Sequence, residues 1–378
     1  MNALMPAIKP AKLITSSSDL KQLATSLAQN SIIAVDTESN SLHAYQERVC
    51  LIQFTDSSGD SLVDPLAIED LSLLSSIFAD PKIEKIFHAA EYDLIVLHRD
   101  YEFEITNLFD TMVAARIIGR KKVGLGSLLE EEFQIRLAKK YQRADWGKRP
   151  LIPDMLEYAR MDTHHLVELR NKLESELQRL GRWELAQEDF ARLPKVSIEP
   201  RVSKEAPLWR IKGVRDLHPH EVPILNELSN FRDTQARKAD QPLFKIIGDK
   251  TLVAIAALRP IRLQDLEEVK GMTPGQIRRF GKGLLAAVQR GAQAEPMRRP
   301  RRERYDPDFS DRLEVLRKWR KESAQKIEVE SDVVLPRDIM ESIARANPVN
   351  VNAVETILVD LPWRQKKYSA DIFQSLHN

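Results

Sequence analysis

Three short acidic clusters carry residue types that can do chemistry. Asp36-Thr37-Glu38 follows the apolar run Ile32-Ile33-Ala34-Val35. Residues i and i+2 of a strand point to the same side, so both carboxylates face one way. Ionised carboxylates held that close repel, and one takes a proton unless a cation sits between them. Glu91-Tyr92-Asp93 opens the helical run Leu94-Ile95-Val96-Leu97. In Tyr158-Ala159-Arg160-Met161-Asp162 the i, i+4 spacing puts a phenol and a carboxylate on one helical face. Taken singly, each has a plainer reading: a solvated strand end, first-turn acids that favour the helix dipole, a common surface pair. Their weight comes from company. Four carboxylates converging in one cleft suit two hard divalent cations, which prefer oxygen ligands. Two such ions about 3.5–4 Å apart hold the attacking and leaving oxygens of an in-line phosphoryl displacement.

Other chemistries are disfavoured. No Gly-x-x-x-x-Gly-Lys-Ser/Thr loop is present, and Gly119–Gly126 lacks the Gly-x-Gly-x-x-Gly pattern of a dinucleotide fold. His164-His165 has neither a cysteine partner nor a His-Glu-x-x-His setting, so zinc is disfavoured and those histidines take a positional role. The single cysteine, Cys50, forbids an internal disulfide and a cysteine-based zinc cage. A reducing, cytoplasmic setting is the expectation. No run of eighteen apolar residues and no secretory pattern in the first thirty residues points to a membrane or to export.

The elements that must position these residues follow from the hydrophobic pattern. Ile32–Val35 reads as a strand that the first acids close. Val49–Thr55 and Asp60–Val63 flank Asp56-Ser57-Ser58-Gly59 and read as a hairpin. Lys85-Ile86-Phe87 is a further strand, and helical patterns cover 66–79, 89–99 and 111–118. From Pro153 the pattern turns helical, with Leu156, Ala159, Leu166, Leu169 and Leu173 on one face. Hairpin strands first and helix-linked strands later indicate an α/β domain with a mixed sheet.

At 378 residues the chain has room for two or three domains. Residues 194–207 hold three prolines among polar residues and read as a linker; 296–304 is a second, basic break. Beyond the first break the pattern is almost wholly helical and contains a repeat offset by 88 residues. Leu225, Leu228, Arg232, Ala236, Lys238, Ile255, Ala256, Pro260 and Glu267 recur as Leu313, Leu316, Arg320, Ala324, Lys326, Ile343, Ala344, Pro348 and Glu355. One small helical domain present twice explains this. The net charge of +1 hides an asymmetry: residues 1–200 hold 24 Lys and Arg against 31 Asp and Glu, whereas 201–302 hold 21 against 11. Such a basic segment suits contact with a polyanion.

The residues also carry a resemblance. Asp36-Thr37-Glu38, Phe87-His88-Ala89-Ala90-Glu91-Tyr92-Asp93-Leu94 and Tyr158-Ala159-Arg160-Met161-Asp162-Thr163 resemble the three exonuclease motifs of the DEDD superfamily, tyrosine subclass. Ala144–Leu151 is similar to the stretch before the third motif in the bacterial ribonuclease D family. Gly248-Asp249-Lys250-Thr251-Leu252 and Ala256-Ala257-Leu258-Arg259-Pro260 resemble the helical HRDC domain. The resemblance implies an RNase H-like mixed-sheet exonuclease domain over 1–205, followed by two all-α HRDC-like domains over 212–294 and 306–378.

It further implies that Asp36, Glu38, Asp93 and Asp162 bind two Mg²⁺ or Mn²⁺ ions and that Tyr158 orients the attacking water and helps take its proton. The activity implied is 3′→5′ hydrolysis of RNA to 5′-mononucleotides, with tRNA precursors and other small structured RNAs as partners and the chain acting as a monomer. A DNA 3′→5′ exonuclease and a non-catalytic RNA-binding module are the alternatives. Three residues are candidate RNA contacts, each with a structural alternative. His88 touches a phosphate or satisfies a buried hydrogen bond; Trp146 stacks on a base or packs; Arg149 contacts a phosphate or is simply solvated.

Overall fold

A computed structural model of the chain describes residues 10–198, 207–299 and 307–377. Contacts divide it into two compact units. The first takes in Met1–Ser39, Val49–Glu199 and Arg304–Asn378, and the second Asn40–Arg48 and Pro200–Glu303.

The first unit is built on a six-stranded sheet. Its strands are β1 (Lys12–Ile14), β2 (Ile32–Ser39), β3 (Val49–Asp56), β4 (Gly59–Val63), β5 (Glu84–Phe87) and β6 (Leu108–Asp110), in the order β1-β4-β3-β2-β5-β6. β2, β3 and β4 run antiparallel to their neighbours in that trio, while β5 pairs parallel to β2 and β6 parallel to β5. The sheet is therefore mixed, as the order of hairpin and helix-linked strands requires. The helices are α1 (Ser17–Leu27), α2 (Ser75–Ala79), α3 (Glu91–Tyr101), α4 (Thr111–Ile118), α5 (Leu125–Phe133), α6 (Pro153–His164), α7 (Leu166–Arg179) and α8 (Trp183–Ile198). β3 buries seven of its eight residues because packed layers cover both its faces. One cluster joins Leu20, Leu23, Val35, Phe54 and Leu97; another joins Ala34, Ile86, Phe109, Leu169 and Leu173.

Several expectations change in detail. β2 does not close at the acids but runs on to Ser39, because Asp36 and Glu38 stay in register with Gln53 and Leu51 of β3. Only Ser72–Leu74 and α2 of the 66–79 pattern are helical; Asp64 diverts the chain into a turn by accepting from the backbone of Leu66 and Ala67. The pattern from Pro153 breaks at His165, so Ala159 packs with Cys50 and Trp146 while Leu166, Leu169 and Leu173 join a different cluster. α8 runs through Pro194, and the remainder of the expected linker, 199–206, lies outside the described residues, as does 300–304 of the basic run. β1 and β6, three residues each, are too short to show a period.

The second unit holds α9 (Val222–Ala239), α10 (Leu243–Ile246), α11 (Asp249–Leu258) and α12 (Pro274–Ala292). The first unit ends in α13 (Pro307–Lys326), α14 (Ser331–Val334), α15 (Arg337–Ala346), α16 (Val351–Ile357) and α17 (Pro362–His377). α10 and α14, α11 and α15, and the starts of α12 and α17 are each 88 residues apart, so the sequence repeat is a structural one. The same tie recurs in both copies: Arg232 donates to the Ile247 carbonyl and Arg320 to the Leu335 carbonyl, each at 3.0 Å. Among the described residues no helix is long and apolar enough to cross a membrane.

Gly291 allows α12 to touch α9. A Cβ there would lie 2.4 Å from the Ile224 Cα, a backbone atom that cannot yield. Gly291→Ala is expected to destabilise the second unit by about 1–3 kcal/mol, measured as a lower Tm or earlier urea midpoint.

Candidate active site

Three elements bring the acids together. Asp36 and Glu38 leave the same side of β2; Asp93 comes from the first turn of α3 and Asp162 from the last turn of α6. α6 is laid across β2, β3 and β4. Its far end is fastened by Thr55, whose hydroxyl lies 2.8 Å from both Thr163 Oγ1 and Asp60 Oδ1, and by His164 Nδ1, 2.8 Å from Asp60 Oδ2. That is the positional role expected of His164. Asp36, Glu38, His88, Tyr158 and Asp162 line a cleft of about 700 Å³, walled on its other side by Gly124–Ser127 and by Arg136–Lys139. Asp93 lies behind it, 5% exposed, and accepts a hydrogen bond from the Thr37 hydroxyl at 2.5 Å.

The electrostatics follow from that convergence. Removal from bulk water, then the charges of Asp93, Asp162 and Glu38, push the Asp36 carboxyl well above the carboxylate range. Glu38 is raised by burial and by Asp162 and Asp93. Burial and Asp110 push Asp93 up to about 7, against the pull of the Thr37 hydrogen bond. Burial and Asp93 push Asp162 up to about 7. Tyr158 is raised by burial, then by Asp162, Glu38 and Asp36, so its phenol keeps its proton.

Among the described residues no three His, Cys, Asp or Glu side chains are arranged to hold a metal ion as they stand. The donors nonetheless fit a divalent cation by type and charge. They are oxygen-only ligands whose mutual repulsion an added positive charge relieves. The fit is one of donor chemistry, not of a preformed coordination shell.

Asp110 was not picked out by the sequence reading, yet it shapes the site. It is 1% exposed, caps α4 by accepting from Met112 and Val113, and also accepts from the backbone of Ala89 and Ala90. Those bonds hold Ala89 at φ 62°, a left-handed turn that sets the start of α3 and hence Asp93. An aspartate before an apolar run is a helix-cap signal; its second use is invisible until β5 and β6 are paired. His88 lies one residue earlier. The Thr111 hydroxyl donates to the Phe87 carbonyl at 3.1 Å, so at 2.9 Å it accepts from His88 Nδ1. Burial lowers the His88 pKa, against the pull of Asp110, so the ring is neutral and Nε2 is an acceptor.

The structure corrects the other two candidate RNA contacts. Trp146 is 1% exposed among Cys50, Leu51, Leu62 and Ala159, which leaves no ring face for a base. It supports Tyr158 instead, at a ring separation of 6.1 Å. Arg149 has five N–H donors and spends all five within the fold. Nε and Nη2 hold Asp64 at 2.6 and 2.7 Å, and the others reach the carbonyls of Trp146, Lys148 and Cys50. None is left for a phosphate.

Comparison with known proteins agrees with this layout. The family model for 3′-5′ exonuclease matches residues 11–178, and that for the HRDC domain matches 222–288 and 309–376. Exosome complex exonuclease RRP6 of Saccharomyces cerevisiae is 32% identical over 295 residues, 74% of this chain and 40% of that protein. Ribonuclease D of Nitrobacter hamburgensis is 26% identical over 363 residues, 94% of this chain and 92% of that protein. The crystal structure of Escherichia coli RNase D, an exoribonuclease involved in structured RNA processing, is similar with a TM-score of 0.72 at 26% identity, over 98% of this chain and 99% of that one. The chain spans less than half the length of the RRP6-type relatives it matches.

Carboxyls raised in the folded state bind protons that the unfolded chain has already released. The ion-free protein therefore loses stability as pH climbs from the ordinary carboxylate range through about 7. Asp162→Asn in the presence of a chelator is expected to raise Tm near pH 8 by ~2 °C or more, with little change at about pH 4. Mg²⁺ or Mn²⁺ is expected to raise the wild-type Tm most at the alkaline end. A Tm of the ion-free protein that rises across that window would contradict the raised carboxyls.

Proposed function

We propose, from the membership of this chain in the ribonuclease D family of 3′-5′ exonucleases with HRDC domains, that it shortens RNA from the 3′ end and releases 5′-mononucleotides. The observation that carries this reading is the convergence of Asp36, Glu38, Asp93 and Asp162 with Tyr158 about one cleft. The domain limits are 1–205 for the exonuclease and 212–294 and 306–378 for the two HRDC domains, and the chain acts as a monomer in the cytoplasm. The substrates are tRNA precursors and other small structured RNAs, supported by the structured-RNA role of the Escherichia coli relative.

Exonucleases of this family typically work with divalent metals, and Asp36, Glu38, Asp93 and Asp162 would hold two of them, Mg²⁺ or Mn²⁺. When bound, such ions supply positive charge that makes the attacking water more acidic and stabilises the leaving 3′-oxygen. Tyr158 orients that water. Its raised pKa keeps the hydroxyl both donor and acceptor, and so favours orientation over proton removal. Trp146 and Tyr141 both pack against the Tyr158 ring, with ring separations of 6.1 and 5.9 Å. His88 lines the cleft with Nδ1 committed to Thr111. Its remaining nitrogen suits a ribose hydroxyl better than a phosphate oxygen, because it accepts and does not donate.

The test is a 5′-labelled oligoribonucleotide beside the matching DNA, with Mg²⁺, with Mn²⁺ and with chelator. Wild type is expected to shorten the RNA progressively from its 3′ end and only with a metal. Asp36→Asn is expected to lose roughly 10³-fold or more in kcat. Tyr158→Phe is expected to lose roughly 10²-fold, with KM little changed. Preferential shortening of DNA would reassign the polymer, and RNA bound but left intact by wild type would rule out the enzyme.

A further inference from the structure

We infer that the two HRDC repeats have divided their work: the second is a fixed buttress of the exonuclease unit, and RNA contacts outside the cleft fall to the first. This rests on the exoribonuclease reading above and goes beyond it, since that reading leaves the two repeats equivalent.

The 88-residue offset allows position-by-position comparison. In the first repeat Gln276, at the start of α12, donates to the Ile246 carbonyl at 2.9 Å and closes the repeat on itself. The equivalent residue of the second repeat is Arg364. It keeps that tie, with Nε 3.2 Å from the Val334 carbonyl, and adds the Val333 carbonyl at 2.8 Å. The rest of its guanidinium leaves the repeat. Nη1 meets Glu188 and Nη2 meets Asp189 on α8, each at 2.9 Å, and the side chain is wholly buried. The backbone N–H groups of Trp363 and Arg364 also donate to Glu188. A planar five-donor group buried between two elements fixes orientation as well as contact.

The surrounding positions diverge in the same sense. Lys245 of α10 is exposed, whereas its equivalent, Val333, is 4% exposed within the cluster that also holds Phe109, Leu185 and Phe190. Phe244 is 55% exposed; its equivalent, Asp332, joins Glu330 in gripping Arg116 of α4, at 2.6 and 2.7 Å. Arg182 bridges the carbonyls of Ile117 and Ile327. Gly119, φ 99°, admits the Glu328 carbonyl where a Cβ would lie 2.6 Å from it. These contacts fall on α4, α8, the turns beside them and β6. α8 packs on α3, which carries Asp93, and α4 begins at Asp110.

Charge separates the repeats as well. Residues 212–294 hold 14 Lys and Arg against 9 Asp and Glu, while 306–378 hold 11 against 13. In the second repeat Arg312 and Arg364, which stand where the first repeat has Ile224 and Gln276, are turned onto a carbonyl or onto α8. In the first, Lys245, Arg278, Arg279 and Lys282 stay at the surface. A phosphate backbone is held by cations free to release their counterions, and only the first repeat offers an excess of them.

The experiment uses the full chain, catalytically silenced by Asp36→Asn, and a single-stranded oligoribonucleotide in a salt titration. Changing Lys245, Arg278, Arg279 and Lys282 together to Gln is expected to weaken Kd roughly tenfold or more and flatten its salt dependence, with Tm unchanged. Changing Lys318, Lys321, Lys366 and Lys367 of the second repeat to Gln is expected to leave Kd within about twofold. Arg364→Gln, which restores the first repeat's residue, is expected to lower Tm and leave Kd unchanged below its transition. Should that variant not fold, the two lysine and arginine sets still decide. Equal weakening by both sets, or none by the first, would overturn the division. Wild type that neither binds nor trims RNA would instead defeat the exoribonuclease reading and the division with it.

Discussion

Four carboxylates that repel one another form the constraint on which the rest of this molecule depends. At about 4 Å and an effective dielectric near 20, two like unit charges cost about 4 kcal/mol, so a cleft that gathers Asp36, Glu38, Asp93 and Asp162 works against its own folding. Burial raises the pKa of each acid first, and for Asp36, Glu38 and Asp162 the neighbouring acids raise it further. A loop would relieve the repulsion by moving away. Here the acids stand on an inner strand and two packed helices, so the strain is available to be relieved by a cation.

The fastening that resists this repulsion is largely the work of arginines and buried aspartates. Arg149 clamps the segment beneath Tyr158 to β3 and Asp64, and Asp110 ties β6, the Ala89 turn and α4 in one node. Arg232 and Arg320 perform the same carbonyl tie in the two repeats, and Arg364 extends it outward to α8. In each of the arginines the guanidinium meets backbone carbonyls of its own fold. A count of basic residues therefore overstates the positive surface a nucleic acid would meet. Many of these cations are structural, and burial tells the two kinds apart.

Much was legible in the chain because it was local. The period-two placement of Asp36 and Glu38, the i, i+4 spacing of Tyr158 and Asp162, the hairpin turn at Ser57-Ser58 and the offset of the helical repeat all depend on short-range backbone geometry. What went astray was decided at longer range. Trp146 was open to base stacking or to packing, with packing the commoner outcome beside Pro150 and Leu151, and its place under α6 decides for packing. The strand bearing the first acids was expected to close with them, yet pairing with β3 carries it on to Ser39.

Residue types and their order along the chain determined by themselves that this protein has an acid-rich α/β domain and a doubled helical one, and singled out the four carboxylates and the tyrosine that meet about one cleft. Tertiary structure alone decided the second role of Asp110, the acceptor nitrogen of His88 and the diversion of Arg149 and Arg364 from solvent to structure. Each of those depends on atoms from segments far apart in the sequence. A side chain's hydrogen-bonding partners are chosen by what the fold sets beside it, and spacing along the chain carries no record of that.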